Sequence, residues 1–185
     1  MITRRLLLTA GGAAATLPAL AAPALAKFRV APHLEPQYVD VWEGIEAQSI
    51  YVMPRSFYLY WVEAPGKALR YGVGVGKAGL EFQGAAIIER KAKWPWWRPT
   101  RNMIRRDPGK YKKYAGGVPG GPKNPLGARA LYLYQNGVDT YYRIHGTTQP
   151  ESIGHAQSNG CIRMINEHVS DLYERVPIGT TVTVL

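Results

Sequence analysis

The chain has one cysteine in 185 residues, Cys161, so it can form no intramolecular disulfide. Acidic residues are scarce too, with 13 Asp and Glu against 23 Lys and Arg and a formal net charge of +10. The four histidines, His33, His145, His155 and His168, match no standard zinc-ligand spacing with Cys161, so no metal is expected. After residue 26 no apolar run is long enough to span a bilayer, and the chain contains no internal repeat.

Residues 1–26 read as a targeting segment: two arginines, an apolar stretch, then Ala24-Leu25-Ala26, a small-x-small pattern suited to cleavage before Lys27. Thr3-Arg4-Arg5-Leu6-Leu7 also resembles a twin-arginine signal. Cleavage would leave 185 − 26 = 159 residues with a charge of 10 − 2 = +8, the size of one domain, with no membrane insertion and a periplasmic location. Residues 27–47 are weakly patterned and read as an N-terminal arm; residues 48–185 form the folded unit.

From Gln48 onward the pattern is mainly β. Ser49–Met53, Phe57–Ala64, Leu69–Val75, Ala85–Lys91, Ala130–Gln135 and Asp139–Ile144 are rich in Tyr, Val and Ile and are bounded by turn residues. Asn136-Gly137 between two aromatic runs is a hairpin signal. One helix is expected over Asn166–Val176, and Thr180–Leu185 reads as a last strand.

Gly74–Gly79 spells GxGxxG, but no helix pattern or acidic partner follows, so a glycine-permissive hairpin is expected and no dinucleotide cofactor. Lys91–Tyr114 holds nine Lys or Arg against one acid, Asp107, interleaved with three Trp and two Tyr. In a cytosolic chain that mixture would suggest single-stranded nucleic acid; the export signal argues against that partner. Two readings stay open for the segment, a solvated surface loop whose tryptophans cap the core, or a lid that binds an anionic, extended polymer.

A lone thiol in an oxidising compartment needs a use. His145 lies 161 − 145 = 16 residues before Cys161, with Gly-, Ser- and Thr-rich turns between them. A lone Cys is most often a small buried hydrophobe and a lone His a satisfied polar residue, yet neither explains their joint placement. A thiol of ordinary pKa needs an imidazole to take its proton, which makes Cys161 the candidate nucleophile and His145 its base, with His155 and His168 as competitors. A carbonyl in the Gly146 turn could fix the imidazole tautomer. Backbone N–H groups around Gly160 and Cys161 could meet a tetrahedral oxyanion, Ser158 and Asn159 could add donors, and Arg163 could pair with a substrate carboxylate or brace the site.

These residues resemble the YkuD-type catalytic domain of the L,D-transpeptidases of bacterial cell walls. The resemblance covers roughly Gln48 to Leu185 and rests on His145-Gly146-Thr147, Ser152-Ile153-Gly154 and Ser158-Asn159-Gly160-Cys161-Ile162-Arg163-Met164, with Asn124-Pro125-Leu126-Gly127 and Gly179-Thr180-Thr181-Val182 in support. It implies a β-sandwich with one short helix after the nucleophile, and Cys and His facing each other in a cleft under a lid. It also implies Cys161 as the acylated nucleophile, His145 as base, Gly146 as the carbonyl orienting the imidazole, and peptidoglycan stem peptides as partners. The implied reaction joins two third-position residues. Water as acceptor would make the chain an L,D-carboxypeptidase. A protein could also serve as acceptor, and without catalysis the chain would be a wall-binding module. Asn159 stands where many members carry a second His, and Glu81-Phe82-Gln83-Gly84 replaces a frequent Thr-Pro-x-Gly turn.

Overall fold

The aromatic and β-branched runs become strands, because such side chains pack well on a pleated surface. The computed structural model describes residues 28–80 and 82–185, so the targeting segment and Glu81 lie outside the described residues. The strands are β1 Gln37–Asp40, β2 Ser49–Met53, β3 Tyr58–Ala64, β4 Lys67–Gly72, β5 Val75–Gly76, β6 Gly84–Lys93, β7 Arg129–Gln135, β8 Val138–His145, β9 Ala156–Ser158, β10 Ile162–Arg163 and β11 Thr181–Val184. Nine form one sheet in the order β1-β4-β3-β2-β11-β6-β7-β8-β10, and β5 pairs with β9. The last strand thus sits mid-sheet, parallel to β2 and antiparallel to β6.

Gly74, two residues beyond β4, exchanges backbone hydrogen bonds of 2.9 and 2.7 Å with Arg163 of β10. The two halves of the sheet are thereby folded over one core, in which Trp61, Tyr71, Leu131 and Ile144 are fully buried. The fold is mainly β, as expected. Asn136 (φ 50°) and Gly137 (φ 72°) make the two-residue hairpin between β7 and β8, whose first pair is Gln135 and Val138.

Helix α3, Asn166–Arg175, buries Val169 and Leu172 against β7 and β8. Lys91 caps its far end: the ammonium donates to Val176 O at 2.6 Å and lies 4.3 Å from the Tyr173 ring centroid, where the carbonyl end of a helix favours a cation. Lys91 therefore belongs to β6, not to the basic loop.

Two expectations are corrected and the arm gains a definite structure. The Gly74–Gly79 segment is not a hairpin, since β5 pairs in parallel with β9 and β6 pairs with β7 and β11. In the weakly patterned arm, β1 is the edge strand on β4, and Leu34 packs over Gly72, where a Cβ would meet the Leu34 Cβ at 2.5 Å. Burying one leucine is worth about 1.5–3 kcal/mol, whereas an exposed ion pair such as Lys67–Asp40 contributes about 1 kcal/mol at most, so Leu34 and the ladder hold the arm. Finally, the basic segment is partly helical, with α1 over Arg101–Arg106 and α2 over Pro108–Tyr111, capped by the side chains of Thr100 and Asp107. Its Trp94 and Trp96 are about half exposed and do not cap the core, while Trp97 packs on Tyr111 and Tyr114.

Candidate active site

The parallel pairing of β10 on β8 sets Ile162 opposite Ile144 and Arg163 opposite His145, so Cys161, just before β10, comes to the C-terminal end of β8. Cys161, His145 and Arg163 line one cleft of about 1380 Å³, roofed by α1, α2 and Tyr114. Among the described residues its charged lining is of one sign: Arg98, Arg101, Arg105 and Arg106 from the roof join Lys110, Lys123 and Arg163, with no Asp or Glu.

His145 is buried, and its Nδ1 lies 2.5 Å from the carbonyl of Gly146. A carbonyl only accepts, so Nδ1 carries the proton and Nε2 keeps the lone pair in the neutral ring. Burial, with the Arg163 and Arg143 guanidinium groups nearby, pushes the imidazole pKa down to about 3; the carbonyls of Gly146 and Leu126 oppose this only in part. Burial also raises the Cys161 thiol, against the pull of Arg143 and Arg163. Both shifts favour the neutral thiol and the neutral imidazole over the thiolate–imidazolium pair.

One stability consequence follows. Between its ordinary pKa of 6.5 and about 3, His145 takes up a proton in the unfolded chain but not in the folded one. Stability present above pH 6.5 is therefore lost as pH falls, with a slope approaching about 1.4 kcal/mol per pH unit. His168, also lowered by burial, acts in the same sense, so the comparison isolates His145: in urea titrations from pH 7 to 4, His145→Gln is expected to lose stability less steeply than wild type. Parallel curves would show that the imidazole is not held neutral.

Ser158 is buried, donates to Cys161 O at 2.6 Å and accepts the Gly160 N–H at 3.0 Å. The Gly160 N–H is therefore engaged in bracing the loop, which leaves the Cys161 N–H as the backbone donor beside the thiol. Gly160 has φ +122°, and a Cβ there would lie 2.4 Å from both Leu80 O and the Tyr142 ring, so the turn before Cys161 needs glycine. Asn159 is exposed and ties the loop to the roof, donating to Tyr111 Oη at 2.8 Å and accepting from Arg106 at 3.3 Å. Arg163 meets Gln149 Oε1 at 3.4 Å and has no carboxylate in an ion pair among the described residues.

Asn166 went unnoticed in the sequence. It does not cap its own helix; its Oδ1 accepts from Ala128 N at 3.0 Å and its Nδ2 donates to Thr147 O at 2.9 Å, clamping the turn after His145 to the Leu126–Ala128 loop. A Cβ on Gly146 or on Gly127 would meet Asn166 Oδ1 at 2.1 Å, which is why both turns carry glycine. The available signal was a polar residue at the start of α3, two positions after the Cys-x-Arg-Met stretch. His155 is exposed and outside the cleft lining, and His168 bonds Glu35 on another face of α3.

The model of the YkuD L,D-transpeptidase catalytic domain matches residues 47–184. The chain belongs to the L,D-transpeptidase catalytic-domain family. A putative L,D-transpeptidase from Fuscovulum blasticum is 33% identical over 184 residues, covering 97% of this chain and 93% of the relative. Against the first curated relatives it matches, probable L,D-transpeptidases of Escherichia coli and Salmonella typhimurium, the chain spans 36% of their length. The acylated catalytic domain of the Enterococcus faecium L,D-transpeptidase is 21% identical with a TM-score of 0.53, covering 74% of this chain and 95% of that one, which shows the shared fold. A solved Brucella melitensis chain described as a probable carnitine operon oxidoreductase is 53% identical, with a TM-score of 0.58 over 84% of this chain and 96% of that one. That activity finds no support in the chain's GxGxxG spelling: Gly74–Gly79 contains β5, and the next element is strand β6 rather than a helix on which a pyrophosphate could sit.

Proposed function

We propose that this L,D-transpeptidase joins two peptidoglycan stem peptides, linking one third-position residue to another through a Cys161 thioester. The observation that carries the reading is the convergence of Cys161 and His145, set by the β8–β10 pairing, in a cleft whose charged lining among the described residues is cationic. Stem peptides are extended and bear free carboxylates, which such a cleft suits.

In the first half-reaction Sγ bonds to the carbonyl carbon of the third residue while its proton passes to His145 Nε2. The Cys161 N–H faces the developing oxyanion, the C–N bond breaks, and D-alanine leaves with the proton from His145. In the second, the side-chain amine of another stem attacks the thioester, its proton goes to His145 and then to the sulfur, and the free thiol returns. Gly146 holds the ring in the required tautomer, and Arg163 pairs with a substrate carboxylate. The test is intact-protein mass spectrometry during turnover of disaccharide-tetrapeptide: an adduct on Cys161 equal to the donor less D-alanine supports the reading, and turnover with no adduct on Cys161 counts against it.

The roof cations suit a second anionic strand. Changing Arg98, Arg101 and Arg105 to Gln is expected to lower the ratio of cross-linked dimer to trimmed tripeptide at least about threefold, since each exposed pair is worth about 0.2–1 kcal/mol. Raising salt should act in the same direction, because exposed charges are screened within about 10 Å at 0.1 M. A ratio indifferent to charge and salt would make the segment a solvated surface. We also propose export with cleavage before Lys27; N-terminal sequencing of the protein from its host should begin near that residue, and an intact Met1 would refute it.

A further inference from the structure

Strand β8 carries two residues too many. Its register against β7 runs from Tyr134 opposite Asp139 to Tyr132 opposite Arg143, so β8 advances 143 − 139 = 4 residues while β7 advances 134 − 132 = 2. The surplus bulges out at Thr140–Tyr142, beside the nucleophile; bulges next to active sites commonly re-aim a side chain. Tyr141 sits in the left-handed region at φ +63°, a conformation that bulky residues rarely adopt.

The bulge is held from both sides. Tyr141 N–H donates to Asp139 Oδ1 at 2.7 Å, and Arg143 grips both oxygens of that carboxylate at 2.7 and 2.8 Å. Thr140 Oγ1 donates to Leu133 O at 2.6 Å and accepts from Tyr142 N at 3.2 Å. The Arg143 guanidinium also lies 4.3 Å from the Tyr132 ring centroid. All this bracing leaves Tyr141 70% exposed in the lining of the cleft, with its own carbonyl 3.9 Å from Cys161 Sγ. Its neighbour Tyr142 packs on Phe82, with centroids 5.2 Å apart.

A strained backbone that holds an exposed aromatic residue in the lining of the cleft, its carbonyl beside Cys161 Sγ, gains nothing for the core. Where the roof of the cleft offers cations, this wall offers an apolar face. We propose that Tyr141 is a specificity residue that touches substrate: its ring packs on the aliphatic side chain of the third stem residue, the one whose carbonyl Cys161 attacks. The inference rests on the stem-peptide reading above and adds the residue that selects the donor.

The experiment compares two disaccharide-tetrapeptide donors, one with a diamino acid and one with alanine at the third position, alongside acylation by a carbapenem. Tyr141→Gly keeps the positive φ at no strain, so the variant folds and loses only the ring. Wild type is expected to favour the diamino donor about tenfold or more in kcat/KM, the scale on which apolar contacts discriminate. Tyr141→Gly should bring the two donors within about twofold by raising KM for the diamino donor, with carbapenem acylation changed by less than about threefold, and Tyr141→Phe should restore the preference. A preference that survives in Tyr141→Gly overturns the proposal. So does an equal loss of carbapenem acylation and of turnover with both donors, which would make the bulge a support for the thiol alone. A wild type that is acylated by carbapenem but consumes neither donor would instead sink the stem-peptide reading and this inference with it.

Discussion

Incubated with a carbapenem, the wild-type chain is expected to gain one adduct per molecule, and Cys161→Ala none. Turnover of a tetrapeptide donor should fall on the order of 10⁶-fold in the same variant, the scale on which an enzyme loses its nucleophile. Cys161 is the only thiol in the chain, and the adjacent hydroxyl, Ser158, is buried and committed to the Cys161 carbonyl and the Gly160 N–H. Labelling of Cys161→Ala at undiminished yield would remove the assignment.

His145→Ala is the second large effect. Loss of general-base assistance costs about 10²–10⁴-fold, and here the thiol is already pushed up by burial, so little thiolate forms without the imidazole. His155→Ala and His168→Ala should stay close to wild type. His155 is exposed and outside the cleft, and His168 bonds Glu35 and lies beside Tyr71, away from the thiol. If His155→Ala proved to be the inactive variant, the base would be misassigned.

The pair at the centre of the site could be read from the sequence because its signal was local: one thiol, a histidine at the end of an aromatic strand, and glycines where the backbone must turn tightly. The strands could be read for a similar reason, since β-branched and aromatic runs between Pro and Gly turns have few other uses, and Asn136-Gly137 names its own turn type. What stayed hidden depends on contacts between distant segments. β5 and β9 are two and three residues long, too short for any alternation to show, and they exist only because each supplies the other's hydrogen bonds. The surplus in β8 is a mismatch with β7, invisible in either strand alone. In sequence Asn166 is simply the first residue of a helix, whereas its side chain serves two loops lying 38 and 19 positions away. Thr100, Asp107 and Pro108 did carry capping signals, but α1 and α2 span six and four residues and have no apolar stripe to support them.

The site's electrostatics were the least visible part. Spacing suggested that an imidazole would meet a thiol, but not that burial in the folded chain would push the imidazole pKa down and the thiol pKa up. Likewise nothing in the sequence shows that the Gly160 N–H is closed to an oxyanion, because only the fold brings the Ser158 side chain onto it.

The most direct measurement is mass spectrometry of the products formed from disaccharide-tetrapeptide by the wild-type chain and by Cys161→Ala. Wild type should release D-alanine and yield a dimer whose fragmentation places the new amide between two third-position residues, and the variant should yield neither. Tripeptide without dimer would make the chain a carboxypeptidase, and dimer formation by Cys161→Ala would contradict the thioester route.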